Sequence, residues 1–74
     1  MRFKVDFLND ATDERRSIIA ALSAEECRSI DAMRPKAGTE QTDLVARSMA
    51  MRAAYSEVPL GFRHTGPPQF VSVH

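Results

Sequence analysis

The chain of 74 residues predicts a small α+β domain, β-α-α-α-β in order, with a two-stranded sheet made from its two ends and packed on three helices. Three observations predict it. Phe3, Val5 and Phe7 alternate with Arg2, Lys4 and Asp6, the period of a strand with one face on a core and one in water. Gln69 to Val73 is the only other stretch with that character. Between them, apolar residues recur at helical spacing, punctuated by capping residues and by proline and glycine.

The elements follow in order. The first strand covers 2–8. Asn9 to Thr12 is polar, and either Asp10 or Thr12 is suited to cap a helix over 12–22 whose Ile18, Ile19 and Leu22 share a face. Ser23-Ala24-Glu25-Glu26 forms a capping box, which starts a second helix over 24–34 with Cys27, Ile30 and Met33 facing inward. Pro35 to Gly38 ends it. The third helix covers 40–57, with Leu44, Ser48, Met51 and Tyr55 as the core-facing stripe. Val45, Met49 and Ala53 form a second apolar strip, and a helix apolar on two sides is covered on two sides. Asp43 and Arg47 have the spacing of a surface ion pair. Pro59 stops the helix, and 59–68 reads as a loop before the last strand over 69–73.

Composition bounds the function. The whole chain, 1–74, is one domain, and a domain this small buries only about 60% of the surface its unfolded chain exposes, so it gains from a partner. Cys27 is the only cysteine, so no internal disulfide forms, which fits a reducing compartment. The longest apolar run, Ile18 to Leu22, is too short to span a membrane, and the expectation is a soluble, cytoplasmic protein. Ten basic residues balance ten acidic ones, seven of each up to Ala37 and three of each after it. That balance disfavours phosphate-driven binding to nucleic acid.

No arrangement of residues points to catalysis. Cys27 and His64 could form a nucleophile and base, but no third residue is placed to orient them, and Cys27 reads as a small buried hydrophobe. His64 and His74 lack the short paired spacing of a metal site. Glu25, Glu26, Asp31, Asp13 and Glu14 lie in first turns of helices or beside arginines, a structural role. Gly38, Gly61 and Gly66 are isolated and cradle no phosphate. No enzyme activity, cofactor or metal is expected.

The candidate partner-binding residues are Arg52, Phe62, Arg63 and His64, with Arg47 beside them. Arg52 falls inside the apolar arc of the third helix, where a guanidinium needs a carboxylate, a path to water or a partner. Phe62-Arg63-His64 puts an aromatic and a guanidinium on the loop, a frequent hot-spot composition. The expectation is a small interaction protein, an inhibitor or regulatory subunit of the kind carried by phages and mobile elements. It would bind another protein and form a homodimer through a sheet edge or the Val45–Met49–Ala53 strip.

The alternative is a DNA-binding regulator. Over residues 1–34, a strand followed by two helices resembles the ribbon–helix–helix repressors. In that family two chains pair their N-terminal strands, which would make Arg2, Lys4 and Asp6 the residues that read the major groove. No glycine marks the turn between the two helices, and the net charge is zero.

Overall fold

A computed structural model describes residues 1–71. Strand β1 (Arg2–Asn9) turns into β2 (Glu14–Ala21), followed by one helical element, α1 (Ala24–Tyr55), and two short strands, β3 (Phe62–His64) and β4 (Gln69–Val71). All pairings are antiparallel and all involve β1. β2 lies along one edge of β1; β3 and β4 share the other. The three-helix, two-stranded arrangement expected from the sequence is therefore overturned: one helix packs on a four-stranded sheet.

β1 forms as its alternation implies. Phe3, Val5 and Phe7 are buried, and Lys4 is exposed on the other face. The expected capping segment makes a hairpin turn instead. The Asn9 side chain accepts the Ala11 N–H at 3.0 Å, and the Asn9 carbonyl accepts the N–H groups of Thr12 and Asp13 at 3.3 and 2.7 Å. Asp13 takes a left-handed conformation, φ 59°, which aspartate tolerates better than most residues. Polar residues that could cap a helix serve a turn equally well.

The helix expected over 12–22 is thus β2. It pairs residue by residue with β1, from Asn9 with Glu14 to Arg2 with Ala21. Ile18 and Ala20 lie on the core face with Val5 and Phe3. Ile19 falls on the other face and stays 51% exposed. An unpaired β1 would leave a full edge of backbone groups without partners, and pairing overrides the helical spacing of Ile18, Ile19 and Leu22.

The capping box is present. Ser23 Oγ accepts the Glu26 N–H at 3.1 Å, and Glu26 Oε1 accepts the Ser23 N–H at 2.9 Å. The two helices expected over 24–34 and 40–57 are one element with a corner at Gly38, φ 83° and ψ 165°. Pro35 removes one N–H just before it. The corner lets Arg34 reach Asp43 at 3.8 Å. In an unbroken helix nine residues span about 13 Å and end on opposite faces. Asp43 therefore pairs across the corner, where an ion pair with Arg47 was expected.

The stripe of α1 that meets the sheet is Thr42, Ala46, Ala50 and Ala54, all buried. These small residues let the helix approach Phe3, Phe7 and Phe62, and Ile30 joins the same core. The expected inward stripe is displaced: Leu44 is 58% exposed, Ser48 and Tyr55 are exposed, and Met51 is partly buried. Cys27 and Met33 are partly buried.

β4 carries the expected C-terminal pairing, Phe70 opposite Phe3 with their rings edge-on at 5.8 Å. Residues 72 and 73 of the expected strand lie outside the described residues. The loop expected over 59–68 contains β3, paired with Phe7–Asn9. Between β3 and β4, Thr65 to Pro68 stand opposite only Val5 and Asp6 of β1, a bulge that suits two prolines without ladder donors.

Candidate interaction surface

The outward side of α1 carries two open clefts. Leu44, Arg47, Ser48 and Met51 line an open cleft of about 310 Å³ together with His64, Pro67 and Pro68. This side of the helix therefore faces β3 and the bulge. A second open cleft of about 310 Å³ lies on the other flank, between Leu44, Val45, Ser48, Met49 and Arg52. Leu44 and Ser48 form the ridge shared by both.

Below the first cleft, Tyr55 and His64 are locked together. The His64 backbone N–H donates to Tyr55 Oη at 3.1 Å, and Tyr55 Oη lies 2.7 Å from His64 Nδ1. The hydroxyl keeps its proton and a second lone pair, so it donates to Nδ1 or accepts from it according to the tautomer of the ring. Tyr55 also packs edge-on against Phe7 at 5.0 Å, which anchors the pair to the core.

The five residues singled out from the sequence fall in three places. Arg47, Arg52 and His64 are exposed along the two clefts. Neither Arg47 nor Arg52 meets a carboxylate among the described residues. Arg63 points to the opposite face of the sheet. It holds Asp10 through two hydrogen bonds, Nε to Oδ2 at 2.6 Å and Nη2 to Oδ1 at 3.1 Å. The Arg63 hydrogen bond holds the Asp10 carboxyl below its ordinary range, and the same contact raises Arg63. Phe62 belongs to the core, 9% exposed, with the Arg16 guanidinium 5.0 Å from its ring centre. β3 pairing thus splits a segment that reads as one loop: Phe62 and His64 to the helix side, Arg63 to the other.

Leu44, Met51 and Tyr55 were not singled out as surface residues, because their helical spacing reads as a core stripe. The signal that separates the two stripes is size: alanine and threonine permit close approach to a sheet where leucine and tyrosine do not.

Cys27 and His64 are not brought together. The Cys27 thiol sits 3.9 Å from the Met1 amino group and 4.0 Å from the Leu22 carbonyl. His64 pairs with Phe7, about 20 Å along the strand. Among the described residues, no three His, Cys, Asp or Glu side chains gather where a metal could bind; His74 lies outside them. Among the described residues no helix is long and apolar enough to cross a membrane.

β1 is occupied along both edges within the chain, by β2 and by β3 with β4. The strand that a ribbon–helix–helix dimer would pair is therefore already paired, and the first of the two helices in that resemblance is a strand. Comparison with known proteins finds no matching family model, no matching curated protein and no matching solved structure.

Proposed function

We propose that the protein is a small non-catalytic interaction module, acting as an inhibitor or regulatory subunit, whose partner protein docks on the outward side of α1. The observation that carries this reading is Leu44. It is a leucine 58% exposed on a ridge between two clefts. Arg47 and Arg52 stand beside it and neither forms an ion pair among the described residues, though Glu40 and Asp43 share a cleft with Arg47. Apolar surface with arginine at its margin is the usual make-up of a contact centre. The charges call for an apolar partner segment carrying carboxylates, and the exposed His64 ring adds a polar contact beside them.

A photo-crosslinking residue at Ser48, used in the cells that encode the protein, identifies the partner. Titration calorimetry with that purified partner then tests the site. Leu44→Ala and Arg47→Ala should each weaken binding by about 1–3 kcal/mol, the scale of interface hot spots. Lys4→Ala, on the far face of the sheet, should leave affinity unchanged. Equal affinity for all three variants and the wild type would overturn the proposal.

A further inference from the structure

Among the described residues β2 has a free edge, and the geometry identifies which groups lie on it. The Leu22 N–H donates to the Met1 carbonyl at 2.9 Å, which makes Met1 and Leu22 a hydrogen-bonded pair. Bonded and non-bonded pairs alternate along an antiparallel ladder. The even-numbered residues of β2 therefore bond to β1. The opposite edge of β1 agrees: Asp6, even-numbered, turns its carbonyl away from β2 and accepts the Thr65 N–H at 3.0 Å. It follows that Arg15, Ser17, Ile19 and Ala21 aim their N–H and C=O groups outward, and no backbone group among the described residues meets them there. All four are exposed.

This edge carries few of the devices that block strand addition. Glu14–Ala21 has no proline, glycine or lysine, and it pairs with β1 without a bulge. Its charges, Glu14, Arg15 and Arg16, are confined to one end; Ser17 to Ala21 are uncharged.

We infer that β2 pairs with β2 of a second copy of this chain, antiparallel and centred on Ile18, so that the two four-stranded sheets become one. Three features select this occupant. In an antiparallel pair the arginine end of each strand meets the uncharged end of the other, so like charges are not opposed. That uncharged end runs straight into the acidic first turn of α1, Glu25 and Glu26, which brings Arg15 of one copy toward carboxylates of the other. The centring on Ile18 is the only one that sets the four outward residues against themselves, Arg15 with Ala21 and Ser17 with Ile19, leaving none unpaired.

A two-fold axis through Ile18, perpendicular to the sheet, keeps both helices on the same face. The side of α1 that carries Leu44, Arg47 and Met51 faces β3 and the bulge. The opposite side, Val45, Met49 and Ala53, turns toward β2 and is only partly buried in the single chain. In the dimer these strips face each other and extend the core across the axis. The pairing covers the Val45 and Met49 side of the second cleft and leaves the first, between Leu44, Arg47, Met51 and His64, open to a partner.

Sedimentation equilibrium of the full chain tests the pairing. The wild type should run as a dimer at high micromolar concentration. Ile19→Pro removes an outward N–H and no bond to β1, so it should run as a monomer that keeps its circular dichroism and a cooperative melt. Ile19→Glu, a charge on the edge opposite Lys4 of the same chain, should do the same. In a Cys27→Ala background, Ile18→Cys places two thiols across the axis, with Cα atoms about 4.5 Å apart, and should form an intermolecular disulfide on mild oxidation. Ser17→Cys, which faces Ile19 of the other copy, should not. A monomeric wild type, a dimer that survives both Ile19 substitutions, or a dimer that cross-links through Ser17→Cys and not Ile18→Cys would overturn the inference.

Discussion

β1 and β2 are neighbours of equal length, and they differ in almost everything else. β1 is paired along both edges, and its alternate residues Phe3, Val5 and Phe7 are buried. β2 is paired along one edge, and only Ala20 in it is buried. The contrast shows how a strand announces itself. Alternation in the sequence records the difference between two faces, and β1 has one face sealed by α1. On β2 the core face carries Glu14, Arg16, Ile18 and Ala20, and the other carries Arg15, Ser17, Ile19 and Ala21. The faces are nearly matched in composition, as expected where the sealing is incomplete.

The largest test of the contrast is at the centre of β1. Val5 is fully buried, and Val5→Asp places an unpaired charge there at a cost of several kcal/mol. The variant should be unfolded at room temperature by circular dichroism. A cooperative melt like that of the wild type would mean that β1 is not the sealed strand.

The two edges of β2 can be separated by one residue. Ile18→Pro removes a bond to β1 and leaves the buried Val5 carbonyl without its donor, a loss of about 1–3 kcal/mol before side-chain effects. Ile19→Pro touches only the outer edge and should lower the stability of the single chain by much less. Urea unfolding at low protein concentration, where a dimer does not contribute, compares the two. Equal losses would mean that the hydrogen-bonding parity is wrong.

The turn that returns β2 to β1 is the next test. Asp13→Val forces a β-branched residue into the left-handed region, where the penalty is about 1–2 kcal/mol. Asp13→Gly relieves it and should be neutral or slightly stabilising. If Asp13→Val melts like the wild type, the hairpin does not turn there.

The smallest effect lies between Asp10, in the same turn, and Arg63. Arg63 holds the Asp10 carboxyl below 3.8, its ordinary value. A carboxyl depressed in the folded state contributes its stability above its unfolded value and loses it as pH falls through the folded one. The melting temperature of the wild type should therefore fall slightly more than that of Asp10→Asn as the pH drops below about 4. Both groups are exposed and screened, so the difference should be small and should shrink with added salt. Parallel curves for the two proteins would show that the pair contributes nothing.

The parts of the fold legible in the sequence are those with a local cause. The alternation of β1, the Ser23–Glu26 capping box, the break at Gly38, the stop before Pro59 and the strand character of Gln69–Val71 each rest on a few adjacent residues. What escaped depends on distant contacts. β2 is a strand because β1 needs a partner, and β3 is one because the chain after Gly61 returns along β1. The inward stripe of α1 escaped because Thr42, Ala46, Ala50 and Ala54 carry a weak hydrophobic signal, while Leu44 and Tyr55 carry a strong one on the outside. Of the candidate surface, the sequence singles out Arg52 as a charge within an apolar arc, His64 as part of the Phe62–His64 loop and Arg47 from the polar side of the helix, and all three are exposed. The burial of Phe62 was not, since nothing local distinguishes a loop aromatic from one paired into a sheet.

Residue-resolved amide hydrogen exchange along β2, measured at high and at low protein concentration, tests the central claim most directly. At low concentration the amides of Arg16, Ile18 and Ala20 should exchange slowly and those of Arg15, Ser17, Ile19 and Ala21 quickly, a period of two. At high concentration the second set should become slow as well, because a second copy covers the edge. Uniform fast exchange across 14–21, or outward amides that stay fast in the concentrated sample, would contradict the account.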